Sequence, residues 1–113
     1  MAAVALGLAL AACGGAEITV ALQGGGGGES FGLVNRSPKG WSGVRVRVTG
    51  DSGGGSCFDQ VVPSWAPGEV RDLPRCGDRT LVAIEVSGKQ AELVYANGML
   101  YRKLGRREVP VPG

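Results

Sequence analysis

Beyond residue 30 the apolar positions of this chain recur every second residue, not every third or fourth. Val44-Arg45-Val46-Arg47-Val48-Thr49 alternates without a fault, so its valines fall on one face of an extended strand and its arginines on the other. Residues 80–86, TLVAIEV, read as a fuller apolar strand, and a second run over 90–95 follows after Ser87-Gly88-Lys89. Asn97-Gly98 then separates AELVYA from MLYRKL. Asn-Gly between two apolar runs predicts a type I′ hairpin, because that turn needs positive φ at both central residues. The three strands are expected to form an antiparallel meander. Earlier strands are expected over 18–22, 31–35, 58–62 and 69–73, with turns at Ser37-Pro38 and Pro67-Gly68. No window carries a helical period. Seven or eight short strands at intervals of about 8–12 residues predict an all-β fold, an antiparallel β-sandwich.

The first twelve residues, MAAVALGLALAA, are wholly apolar and uncharged. A bilayer crossing takes about 20 apolar residues, so this run is too short to span. It matches the apolar region of a signal peptide. Leu10-Ala11-Ala12-Cys13 closes it and resembles the lipobox of bacterial lipoproteins, although no Lys or Arg precedes the run. That resemblance implies that residues 1–12 are removed, that Cys13 carries diacylglycerol, and that the chain is membrane-anchored through its lipid. Two or three acyl chains anchor stably where one is marginal. Gly14 stands where the enterobacterial family retains inner-membrane lipoproteins with Asp, which implies the outer membrane in a two-membrane cell. Residues 13–29 then form an anchor segment whose five glycines, Gly24 to Gly28, serve as a hairpin loop or a tether. The sandwich is expected over 30–104 and an extended Pro-containing tail over 105–113.

Within the sandwich, the order Asn35…Ser37…Trp41…VRVRV…Ala66-Pro67-Gly68-Glu69 resembles small immunoglobulin-like or fibronectin-III-like modules of bacterial envelope proteins. The resemblance implies that Trp41 packs in the core, and it carries no functional residues. The Cys-Trp-Cys order of true immunoglobulin domains is absent, since both later cysteines follow Trp41.

Composition mainly removes options. The net charge is +2 from 12 basic and 10 acidic residues, too balanced to indicate nucleic acid. There is no histidine, which takes away the commonest general base and metal ligand. Acidic residues are scattered singly, so neither a glycosidase pair nor a calcium loop suggests itself. Gly50-Asp51-Ser52-Gly53-Gly54 reproduces the surroundings of the serine in chymotrypsin-like proteases, but without a histidine base it reads as a loop. No Gly-Lys-Ser/Thr follows the polyglycine run, so it is not a phosphate loop. No catalytic residue, cofactor or metal is expected, and the protein is read as a non-enzyme.

Three cysteines is an odd count. With Cys13 lipidated, Cys57 and Cys76 remain as a structural disulfide pair in an oxidising compartment. Contact residues are expected in two places. Trp65, between Pro63 and Pro67 in an expected loop, is the candidate exposed aromatic. Tyr101, Arg102, Lys103, Arg106 and Arg107 form a basic cluster that meets anionic headgroups or is simply a charged edge strand. Val109-Pro110-Val111-Pro112 reads as a polyproline-like tail, disordered or laid along a partner. Together these features predict a non-enzymatic envelope lipoprotein facing the periplasm or exterior, whose sandwich is a structural or protein-interaction module. The alternative is a binding module for glycan, anionic polymer or lipid headgroups.

Overall fold

The computed structural model describes residues 18–23, 29–50 and 55–112. The signal segment 1–12, Cys13, the run 24–28 and residues 51–54 of the protease-like string lie outside the described residues. Nine strands are present among those described: β1 (Val20–Gln23), β2 (Ser30–Asn35), β3 (Trp41–Gly50), β4 (Ser56–Trp65), β5 (Val70–Pro74), β6 (Arg79–Val86), β7 (Lys89–Ala96), β8 (Met99–Leu104) and β9 (Arg107–Pro110). They form two antiparallel sheets, β1-β2-β5 and β4-β3-β6-β7-β8-β9. The chain crosses between sheets after β2, β4 and β5, which gives a Greek-key sandwich. Strand β4 lies beside β3, whereas the fourth strand of a constant-type immunoglobulin domain lies beside the fifth.

The alternation read from the sequence sets the core. Val44, Val46 and Val48 of β3 are wholly buried and share one core with Ile18, which precedes β1, and with Val20, Phe31 and Leu33 of the smaller sheet. Burying one such aliphatic side chain contributes roughly 1.5–3 kcal/mol, so the three valines alone match a large part of a domain's net stability. Phe31 and Tyr95 stack across the sheets with ring centroids 4.3 Å apart. The meander closes through two tight turns. Asn97 and Gly98 have φ of 54° and 76°, the left-handed pair a type I′ turn requires, and Ser87 and Gly88 repeat it at 52° and 79°. In the smaller sheet, Gly32 is required by close approach, since a Cβ there would lie 2.4 Å from the Gln23 carbonyl oxygen.

Two boundaries differ from expectation. The sandwich does not begin at residue 30, because β1 pairs with β2 from Val20↔Asn35 to Gln23↔Gly32. The stretch 109–112 read as a polyproline-like tail begins instead inside strand β9, which pairs with β8 from Leu104↔Arg107 to Tyr101↔Pro110, and the Val111 amide beyond it donates to the Leu100 carbonyl. Pro110 sits on a sheet edge, where the missing N–H costs no ladder bond. The larger sheet is therefore three strands wider than the smaller one, an excess of roughly 14 Å at about 4.8 Å per strand.

Candidate functional site

The residues that carried the module resemblance converge on one end of the sandwich, where they do structural work. Asn35 is buried; its Nδ2 donates to the carbonyls of Trp65 (3.1 Å) and Lys39 (3.3 Å), and its Oδ1 accepts from the Ser37 amide (2.8 Å). Trp41 lies in the core as expected, edge-on to Trp65 at 5.4 Å. Trp65 departs from expectation. It is the last residue of β4, not a loop residue, and it is 0% exposed. Pro63 stands on a sheet edge and so did not end the strand. The Trp65 Nε1–H donates to the Glu69 carbonyl at 2.8 Å, so the indole is anchored and offers nothing to a ligand. Tyr95 is likewise buried.

Cys57 and Cys76 are joined in a disulfide, with Cα atoms 6.4 Å apart. The β3–β4 register shows how Cys57 reaches its partner. Val48 pairs with Phe58 but Thr49 pairs with Ser56, which leaves Cys57 as an extra, bulged residue. The bulge turns Cys57 toward the β5–β6 crossover that holds Cys76, so the bond ties an edge of one sheet to the chain arriving from the other.

The basic cluster is divided by the same alternation. Lys103 and Tyr101 share the outer face of β8, while Arg102 points inward with Leu100 and Leu104. Arg106 and Arg107 are exposed at the β8–β9 hairpin tip beside Leu104, itself 52% exposed. Trp65 and this cluster are not brought together, since β3, β6 and β7 separate β4 from β8. On the outer face near β4, Arg45 binds Asp59 through two hydrogen bonds of 3.1 and 2.9 Å, with Arg47 at 3.6 Å. Arg45's hydrogen bonds hold the Asp59 carboxyl below its ordinary value against desolvation, and the same contact raises the Arg45 guanidinium.

The feature that sequence reading missed lies where the wider sheet overhangs the narrower one. A groove of about 390 Å³ runs between β1 and the β8–β9 hairpin, with Val20 on one wall, Leu93 at its floor, and Leu104, Val109 and Val111 opposite. That volume falls in the ordinary range of ligand sites, about 300–1,000 Å³. Two cations border it. The Arg102 Nη1 donates to the Ile18 carbonyl at 2.6 Å, which uses one of the five guanidinium N–H groups. Arg36 is exposed, and its guanidinium has no partner among the described residues. The signal for the groove lay in β8, where Arg102 and Leu104 share parity, but its other wall depends on β1 and β9. Among the described residues no group of three or more His, Cys, Asp or Glu is placed to hold a metal. The chain matches no family model, no curated protein and no solved structure.

Proposed function

We propose that this protein is a cell-envelope lipoprotein, anchored through Cys13, whose sandwich serves as a non-enzymatic protein-interaction module. The apolar groove beside an unclosed sheet edge, with Arg36 and Arg102 at its border, carries the interaction reading. The lipobox-like Leu10-Ala11-Ala12-Cys13 supports the anchor. Support for an oxidising compartment comes from the Cys57–Cys76 disulfide, since such bonds persist outside the cytoplasm. Pairing those two cysteines leaves Cys13 as the odd one, available for lipid.

Two measurements test this reading. Intact-mass analysis of the membrane fraction, with and without a lipoprotein signal peptidase inhibitor, is expected to show a chain starting at Cys13 and carrying diacylglycerol. A full-length chain with an unmodified Cys13 thiol would remove the anchor. In-cell photocrosslinking from positions across the surface is expected to yield discrete protein adducts, and their absence everywhere would remove the interaction role.

A second reading is favoured by the β8–β9 tip, where exposed Leu104, Arg106 and Arg107 stand together. An apolar residue beside two cations suits contact with anionic headgroups. Binding of the chain to vesicles containing phosphatidylglycerol, weakened by salt and by charge reversal at Arg106 and Arg107, is the expected result on that reading.

A further inference from the structure

We infer that the groove between β1 and the β8–β9 hairpin is a strand-acceptor site that takes an extended acidic segment of a partner protein. The inference deepens the interaction reading above and rests on it. The segment would pair with the outer edge of β1 and lay its apolar side chains against Leu104 and Val109, where the larger sheet extends past β1.

Main-chain geometry supplies the first argument. The Arg36 amide donates to the Thr19 carbonyl at 2.8 Å, which makes Thr19 and Arg36 a hydrogen-bonded pair. In an antiparallel ladder such pairs alternate, so Val20 and Leu22 must turn their N–H and C=O away from β2. Asn35, opposite Val20, confirms the parity. It directs its own backbone the other way, donating to the Glu69 carbonyl and accepting from the Gly68 amide. Ile18 shares the outward parity, and its carbonyl is the one Arg102 caps. Among the described residues no hydrogen-bond partner meets the outward N–H and C=O groups of Val20 or Leu22. A strand edge bordering a groove in this way is a template for strand addition.

Charge and shape select the occupant. The overhang offers exposed Leu104 and half-buried Val109 as an apolar wall above the buried Leu93, which suits the alternate side chains of an added strand. Arg36 and Arg102 stand together at one end of that path, beside Thr19 and Ile18. Glu108, the acidic residue of β9, is engaged by Arg79 at 2.7 Å. The border is therefore cationic, and acidic residues in the incoming segment match it. A fatty acyl chain would cover the floor but leave the Val20 and Leu22 amides and carbonyls dry and unpaired, which is costly.

The test uses the full chain in detergent and a capped peptide of alternating valine and threonine with an aspartate near the end that meets Ile18 and Thr19. Saturable binding is expected, with amide exchange at Val20 and Leu22 slowed about tenfold or more. Arg36→Glu should weaken binding about tenfold or more without shifting the melting temperature, since that side chain has no partner to lose among the described residues. A peptide N-methylated at the amides facing β1 should not bind. The proposal is overturned by absent binding, by equal binding of the N-methylated peptide, or by unchanged Val20 and Leu22 exchange. Palmitate occupying the groove in place of the peptide, or self-association of the chain through β1, overturns it as well. If in-cell crosslinks persist in any of those cases, the strand-acceptor site falls while the broader interaction role stands. If no crosslink forms from any position, the broader role falls too.

Discussion

Removing the Cys57–Cys76 bond should destabilise this protein almost entirely through its unfolded state. The two cysteines are 19 residues apart in sequence. Closing a loop of that size removes about 11 cal/mol/K of chain entropy, which is about 3 kcal/mol at 25 °C. The native side adds little, since Cys57 is exposed and Cys76 only half-buried against the core. The double variant Cys57→Ala/Cys76→Ala avoids leaving a lone thiol to mispair. In urea its unfolding free energy should fall by about 3 kcal/mol, a large fraction of the 5–15 kcal/mol typical of a domain. Its denaturant slope should rise, because the uncrosslinked chain exposes more surface when unfolded. At roughly 4–8 °C per kcal/mol, the melting temperature should drop by about 12–24 °C. Chemically reduced wild type should behave like the double variant. A loss below about 1 kcal/mol, or a loss with an unchanged slope, would refute the reasoning.

Four further outcomes follow from the contacts described. Trp65→Ala should cost about 3–5 kcal/mol in chemical denaturation, the range for deleting a buried aromatic, whereas an exposed contact residue would cost next to nothing. Asn35→Ala leaves the Trp65 and Lys39 carbonyls and the Ser37 amide without their partner, and should cost on the order of 2–4 kcal/mol. Because the Asp59 carboxyl is held below the ordinary aspartate value of 3.8, its contribution to stability is complete above that pH and fades as the solution is acidified further. A carboxyl NMR titration should show Asp59 returning toward the ordinary value in Arg45→Gln. The Val111 amide, which donates to the Leu100 carbonyl at 3.0 Å, should exchange with solvent more slowly than the turn amide of Arg106; equal rates would mean the tail is not held as a strand.

Legibility in the sequence followed the range of the forces involved. Val44-Arg45-Val46-Arg47-Val48 and the Asn97-Gly98 turn are local codes, one a pleat period and the other a backbone dihedral requirement, and both appear in the fold as written. Trp65 was misplaced because two nearby prolines read as loop punctuation, and only the sheet order reveals that β4 is an edge on which Pro63 is tolerated. β9 was masked in the same way by Pro110 and Pro112. The disulfide was legible by counting once Cys13 was set aside, but the bulge that aims Cys57 depends on the pairing register of β3 with β4. The groove was not legible, because its walls are β1 and the β8–β9 hairpin, which come from opposite ends of the chain. Arg102 stood out only as a member of the basic cluster, and Arg36 carries no signature that separates it from any other surface arginine.

The failures at β4, at β9 and at the groove have a common physical origin, and it bears on where binding is to be sought. A period-two pattern specifies which face of a strand is buried but says nothing about which strands lie at sheet edges. Edges are fixed by pairing order, and pairing order is a property of the whole chain. In this sandwich the faces are well used: the inner one is filled by valines and stacked aromatics, and the outer one is laced by Arg45, Arg47 and Asp59. What remains open is the mismatch between a three-stranded sheet and a six-stranded one. A mismatch of that kind leaves backbone groups unpaired on one sheet and apolar side chains uncovered on the other, both at the same border. An added strand satisfies the two deficits at once, whereas a ligand lacking a peptide backbone satisfies only one. The ladder at β1, more than the basic composition of the C-terminal segment, is therefore the place to look for what this domain holds.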